Sequence, residues 1–179
     1  MDLVEALAGY EPRTEAEAAD VARVRALLGP GGDPWARSTP LHATASALIV
    51  HPPTGRALLR WHARQRAWLQ VGGHADPGEA DPLAVALREG HEETGLDDLV
   101  PWPDGGVVHV VVVAVPAGGD EPAHEHADIR FLLATGTPEA ARPEKPGAEL
   151  RWLSIVDAQA ATSEPNVRET LARAGRLLG

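Results

Sequence analysis

The 179-residue sequence contains no cysteine. That excludes disulfides, thiolate zinc sites and a cysteine nucleophile, and it is compatible with a cytoplasmic location. Aromatic residues are scarce as well: one phenylalanine, one tyrosine and five tryptophans. Trp61, Trp68, Trp102 and Trp152 are therefore read as packing residues ahead of stacking platforms for a base. Long apolar runs are missing. Val107 to Val115 is the longest; it is interrupted by His109 and has the length of a strand, well short of the roughly 20 residues that cross a bilayer. No membrane partner is expected. Met1 to Tyr10 has no basic residue and no continuous apolar stretch, so it does not read as a secretion signal. Positive charge is in deficit too. The formal net charge of −10 argues against a nucleic-acid partner, whose phosphates call for a basic face. A small phosphorylated molecule stays admissible if a divalent cation bridges protein carboxylates and phosphate oxygens.

The length suits one domain with a short accessory element. Residues 2–29 read as helical. Thr14 and Glu17 have capping-box spacing, Ala18, Val21, Val24, Leu27 and Leu28 form a stripe, and Gly29-Pro30-Gly31-Gly32 ends the helix. Residues 1–38 are accordingly assigned to an N-terminal helical extension and 39–179 to the main domain. Packing of the extension on that domain is favoured over a homodimer contact or a substrate lid. Strands are expected at Ala45–Val50, Ala57–Trp61, Trp68–Val71, Val107–Val115, Ile129–Ala134 and Leu150–Leu153, with helices at 82–94 and 166–178. A Pro/Gly/Asp loop is expected at 116–122. Strands outnumber helices without regular alternation, which predicts an α+β sandwich and not a doubly wound sheet.

The chemistry concentrates in Gly72 to Leu96, GGHADPGEADPLAVALREGHEETGL. Asp81 can cap the helix, Pro82 fits its first position, and Gly95 can end it in a left-handed cap. Leu83, Leu87 and Gly90 share a face expected to point into the core. Glu89, Glu92 and Glu93 stand at i, i+3 and i+4, so their carboxylates project from one patch. Like charges at these spacings cost about 0.2–0.5 kcal/mol per pair. An oxygen-only cluster suits a hard ion, Mg2+ or Mn2+, that completes its shell from substrate phosphates.

This segment resembles the Nudix box. Gly73 and Glu79 match its first half; Arg88-Glu89, Glu92-Glu93, Gly95 and Leu96 match its second. Two departures stand out. Eight residues, 80–87, separate Glu79 from Arg88 where the pattern has seven, and Gly90 occupies a position that is usually hydrophobic. The extra residue is placed in the loop between Pro77 and Pro82, which puts in question whether Glu79 reaches its partner. Gly90 is expected to loosen packing beneath the helix.

The resemblance implies a mixed-sheet α/β/α sandwich and a pyrophosphatase of nucleotide-type metabolites, in which metal-activated water cleaves a diphosphate linkage; a cytoplasmic location is expected from the absence of cysteine. On the matching positions it implies Glu89, Glu92 and Glu93 as metal ligands, and Glu92 or Glu93 as an aid to the water. Arg88 would orient the box carboxylates, and Gly73 would offer a backbone carbonyl to the metal. A glutamate from a loop often serves the family as general base or extra ligand, which nominates Glu125, with Glu121 behind it. His74 is a substrate-contact candidate by its position beside Gly73. Arg60, Arg64, Arg66 and Arg130 are candidate phosphate clamps. His124 and His126 share one side of an extended segment and are candidate ligands for metal or phosphate, or simply an exposed loop. A non-catalytic nucleotide sensor on the same fold is the alternative, and retention of the three glutamates speaks for catalysis. An isopentenyl-diphosphate isomerase-like activity uses a cysteine in the family and is set aside.

Overall fold

A computed structural model describes residues 1–29, 31–118 and 121–179. Pro30 in the expected helix stop, and residues 119–120 of the expected 116–122 loop, lie outside the described residues. Two helices open the chain, α1 (Leu3–Leu7) and α2 (Glu15–Leu27). Four strands follow: β1 (Leu41–His51), β2 (Arg56–His62), β3 (Ala67–Leu69) and β4 (Val71–Gly73). Helix α3 (Pro82–Thr94) precedes β5 (Val100–Pro101), β6 (His109–Val115), β7 (His124–Ala134) and β8 (Leu150–Ser154). Helices α4 (Ile155–Ala161) and α5 (Pro165–Leu178) close the chain.

Among the described residues, the eight strands form one mixed sheet whose central path runs β3-β2-β1-β7-β5. β1 and β7 pair in parallel from Leu41↔Glu125 to Val50↔Ala134, and their neighbours are antiparallel. Because side chains alternate along a strand, β1 sends two sets of residues to opposite cores. Ala43, Ala45, Ala47 and Ile49 pack with Val85 and Ala86 of α3, Val21 and Val24 of α2, and Leu3 and Leu7 of α1. Leu48 and Val50 pack with Ala158 of α4 and Leu171 and Ala174 of α5. The expected α/β/α sandwich is what these residues build.

Three elements differ from the expectation. The N-terminal helix is two helices, and Glu17, not Ala18, holds the buried stripe position of α2 with Val21 and Val24. Thr14 accepts a hydrogen bond from the Glu17 amide at 3.1 Å, but the Glu17 carboxylate turns inward to Arg173 at 2.7 Å and does not complete a capping box. The strand expected to start at Ile129 starts at His124, so residues 124–128 are sheet and not an exposed loop. Residues 125–128 are held there by the first four of ten consecutive pairs with β1, and His124 pairs with Val115 of β6. In α3, the fully buried positions include Val85, Ala86 and Gly90, while Leu83 and Leu87 are only partly covered.

Candidate active site

Helix α3 begins as its sequence dictates: the Asp81 carboxylate accepts from the Leu83 and Ala84 amides at 2.9 and 3.2 Å. Gly95 ends it at φ 64°. Val85, Glu89 and Glu93 form one i+4 row, so the row that begins in the core carries two carboxylates along the sheet to β4. The side chains of Glu89 and Glu93 are only 15% and 12% exposed, whereas Glu92, on the neighbouring row, is 53% exposed.

Gly73 makes room for this arrangement. A Cβ there would stand 2.5 Å from Glu89 Oε1, so any other residue would expel the carboxylate. One residue earlier, the Gly72 amide donates to Glu93 Oε2 at 3.2 Å. Gly90 does not loosen the helix packing: a Cβ at that position would lie 2.9 Å from Leu99 Cδ1 and 3.4 Å from Leu133 Cδ1. Leu99 fills the space that a larger box residue would take.

Arg88 organises the patch. Its Nε and Nη2 donate to Glu79 at 2.9–3.2 Å, its Nη2 also to the His74 carbonyl at 2.9 Å, and its Nη1 to Glu89 and Glu92 at 3.0 and 3.1 Å. Glu79 therefore reaches its partner despite the extra residue. Only Ala80 and Asp81 lie between Glu79 and the start of α3, and the Asp76 amide donates to Glu79 Oε2 at 2.8 Å. The guanidinium bridges box loop and helix and places Glu89 Oε1 and Glu92 Oε2 around a single nitrogen. Such outer partners fix ligand orientation.

Burial sets the electrostatics. Desolvation pushes the Glu93 carboxyl up to about 7, against the opposing pull of Arg60 and the Gly72 amide. Desolvation likewise raises Glu89, against Arg88. Both gain from a cation. In this structure Arg60 supplies one, 3.2 Å from Glu93 Oε1. An oxygen-only set of two desolvated carboxylates and one exposed carboxylate fits a hard divalent ion. Arg60 Nε and both side-chain amide atoms of Gln70 are buried without hydrogen-bond partners among the described residues. Gln70 lies beside β4 and had no motif to mark it; its unpaired amide is the signal that structure adds.

The remaining sequence candidates scatter. Arg130 is 3% exposed and fully engaged: Nε meets Asp128 at 2.7 Å, and its other nitrogens meet Asn166 and Thr170 of α5 at 2.9–3.1 Å. That engagement removes it from the phosphate clamps. Glu125 pairs with Arg23 of α2 at 2.5 and 3.1 Å, which holds its carboxyl below the usual range. By strand alternation Glu125 faces away from His124 and His126, toward the helical extension. Glu121 pairs with Arg64 at 2.9 Å.

His74, His124 and His126 converge, and a fourth residue that the sequence reading did not single out, His42, joins them. His42 Nε2 lies 3.0 Å from His74 Nε2, and His124 Nε2 lies 3.1 Å from His126 Nε2. Burial first, then the neighbouring His126 and Arg37, hold the His74 imidazole down at about 3; burial and His42 hold His126 at about 4. The register His42↔His126 of β1 and β7 creates this group, so no local motif announces it.

The family model of the NUDIX domain matches residues 40–174. A curated relative from Lactococcus lactis subsp. cremoris, "Probable DHNTP pyrophosphohydrolase", is 33% identical over 108 residues, 59% of this chain. The chain's match spans 61% of that relative's length. Among solved structures, a C. elegans Ap4A hydrolase complex is 20% identical at a TM-score of 0.60, covering 76% of this chain and 96% of that one. The E. coli dihydroneopterin triphosphate pyrophosphohydrolase is 18% identical at a TM-score of 0.57, covering 75% and 94%. At these identities the two structures speak to the fold.

Proposed function

The chain belongs to the NUDIX domain family, and from that premise we propose that it is a magnesium- or manganese-dependent pyrophosphohydrolase that cleaves a diphosphate linkage in a small nucleotide-type metabolite. The observation that carries this reading is the pair of desolvated carboxylates, Glu89 and Glu93, held beside Glu92 by Arg88 and by the side-chain-free Gly73. Two buried acids on one helix row with no catalytic or ionic role would be a plain loss of stability.

Glu89, Glu92 and Glu93 would hold the ion, with the Gly73 carbonyl as a further oxygen. When bound, a divalent ion of this kind polarises a phosphoryl oxygen and lowers the pKa of attacking water. The chain's own groups do the rest. Arg88 keeps Glu89 and Glu92 in one orientation, and the desolvation that raises the Glu93 carboxyl in the metal-free chain makes an ion beside it favourable. Arg60, freed from Glu93, would turn its guanidinium to substrate phosphate. Gln70 offers an unpaired amide in the same neighbourhood. Glu125, tied to Arg23, would act as base only after leaving that partner.

The test is hydrolysis of a panel holding dihydroneopterin triphosphate, nucleoside triphosphates, dinucleoside polyphosphates and nucleotide sugars, with and without magnesium. The 33% identical relative puts the pterin triphosphate first. Cleavage that chelation abolishes, and that Glu93→Gln lowers at least about 100-fold with the fold intact, is the expected result. Full turnover by Glu93→Gln would remove the box from the reaction.

A further inference from the structure

We propose that His42, His74, His124 and His126 form a binding site for one divalent transition-metal ion of borderline softness, zinc being the ion that suits the donors best, separate from the carboxylate site on α3.

The donors come from three places: His42 from β1, His124 and His126 from β7, and His74 from the residue after β4. Ligand atoms of His42, His124 and His126 all lie within 4.8 Å of one another, and His74 Nε2 is 3.0 Å from His42 Nε2. Four imidazoles around a zinc ion at about 2.0–2.1 Å would set neighbouring nitrogens roughly 3.4 Å apart. The present spacings of 3.0 and 3.1 Å need a few tenths of an ångström of expansion, and the remaining spacings among His42, His124 and His126, all within 4.8 Å, are in the range that side-chain adjustment can bring to the same value.

Proton positions favour a cation over an anion. His42 Nδ1 lies 2.9 Å from the Thr39 carbonyl, and His124 Nδ1 lies 2.9 Å from the Pro122 carbonyl. A carbonyl only accepts, so each Nδ1 carries the hydrogen. In the neutral rings each Nε2 then presents a lone pair to the cluster. Backbone carbonyls hold metal-ligating imidazoles in this way. A phosphate would need N–H groups at His42 and His124 Nε2, where these two rings offer lone pairs; His74 and His126, which donate to them from Nε2 in this structure, would carry their proton on Nδ1 when the ion binds. Nitrogen-only donors also separate the site from the oxygen-only box, since imidazole suits zinc-class ions and carboxylate suits magnesium. A surface cleft of about 230 Å³, lined in part by His42, His74 and His124, gives an ion a route in.

The decisive experiment titrates chelator-treated full-length protein with cobalt(II), then displaces it with zinc(II), in excess magnesium. One equivalent with the intense visible absorption of four-coordinate cobalt is expected. The Glu89→Gln/Glu92→Gln/Glu93→Gln variant should keep that equivalent, whether or not the chain hydrolyses any diphosphate. His124→Ala, at a half-exposed strand end, should lose more than about 100-fold in affinity, above the roughly 10–100-fold that losing an orienting partner costs. Circular dichroism checks that the variant is folded. Hyperfine-shifted, exchangeable imidazole N–H protons in cobalt-loaded wild type supply a readout that needs no variant. A weak six-coordinate spectrum without such protons, binding lost with the carboxylates and kept in His124→Ala, or capture of inorganic phosphate in place of metal would each overturn the site.

Discussion

Glu92 and Glu93 are neighbours in sequence and live in different solvents. Glu92 is 53% exposed, and Glu93 is 12% exposed with its carboxyl pushed up to about 7. The sign follows from linkage. A raised folded-state value adds stability below the unfolded value of 4.5, and this is lost as pH rises through about 7. Metal-free wild type should therefore lose up to about 3 kcal/mol relative to Glu93→Gln over that window, read by denaturant melts at each pH. A constant difference between the two proteins would refute the buried-acid assignment. Gly73→Ala gives a second prediction at this scale. Its methyl would displace Glu89, and an ångström of misplacement costs about 100-fold in rate, with the melting temperature little changed. Wild-type turnover in that variant would show that Glu89 has room the geometry denies. The box was legible in the sequence because a helix fixes i, i+3 and i+4 neighbours locally. His42 was not, because its partners arrive through strand register and a loop.

Among the elements, α2 is held by a buried clamp. Arg173 of α5, 1% exposed, donates to Glu17 at 2.7 and 2.9 Å and to the Val108 carbonyl at 2.9 Å. Glu17 also accepts from the Tyr10 hydroxyl and from the Arg13 amide at 2.7 Å. Burial alone would raise the Glu17 carboxyl; Arg173, Tyr10 and the Arg13 amide outweigh it and hold it at about 2. The stability this supplies is present above the unfolded value of 4.5 and lost as pH falls toward 2. Glu17→Ala should cost about 3 kcal/mol, since it removes the buried carboxylate from the Arg173 guanidinium and leaves it only the half-exposed Glu169, 2.7 Å from Nε, as an ionic partner. Limited proteolysis between α1 and β1 should speed up with it. Unchanged cleavage would mean that the apolar contacts of Leu3, Leu7, Val21 and Val24 suffice. The periodic reading of α2 found its apolar face but put Ala18 where Glu17 sits, because pattern counting cannot anticipate a charge whose partner lies 156 residues away.

For the whole molecule, the net charge of −10 opposes an anionic substrate everywhere except where cations or arginines stand. Screening weakens that repulsion over about 8 Å at physiological ionic strength. Substrate association without magnesium should therefore quicken as salt rises, measured by stopped flow. A fall with salt would place a positive funnel on the approach. The fold class was legible from strand number and from the lack of regular alternation. The order of strands was not, because it depends on which distant segments meet.

The parallel pairing of β1 with β7 joins residues 84 positions apart. During synthesis at ~5–20 residues per second, β1 waits about 4–17 s for its partner to be made. Through that interval the Ala- and Leu-rich run of β1 can pair only with β2 and β4, and one edge stays open to other chains. A ribosome stalled before residue 134 would therefore hold a fragment whose β1 edge is unpaired and open to other chains until the seventh strand emerges.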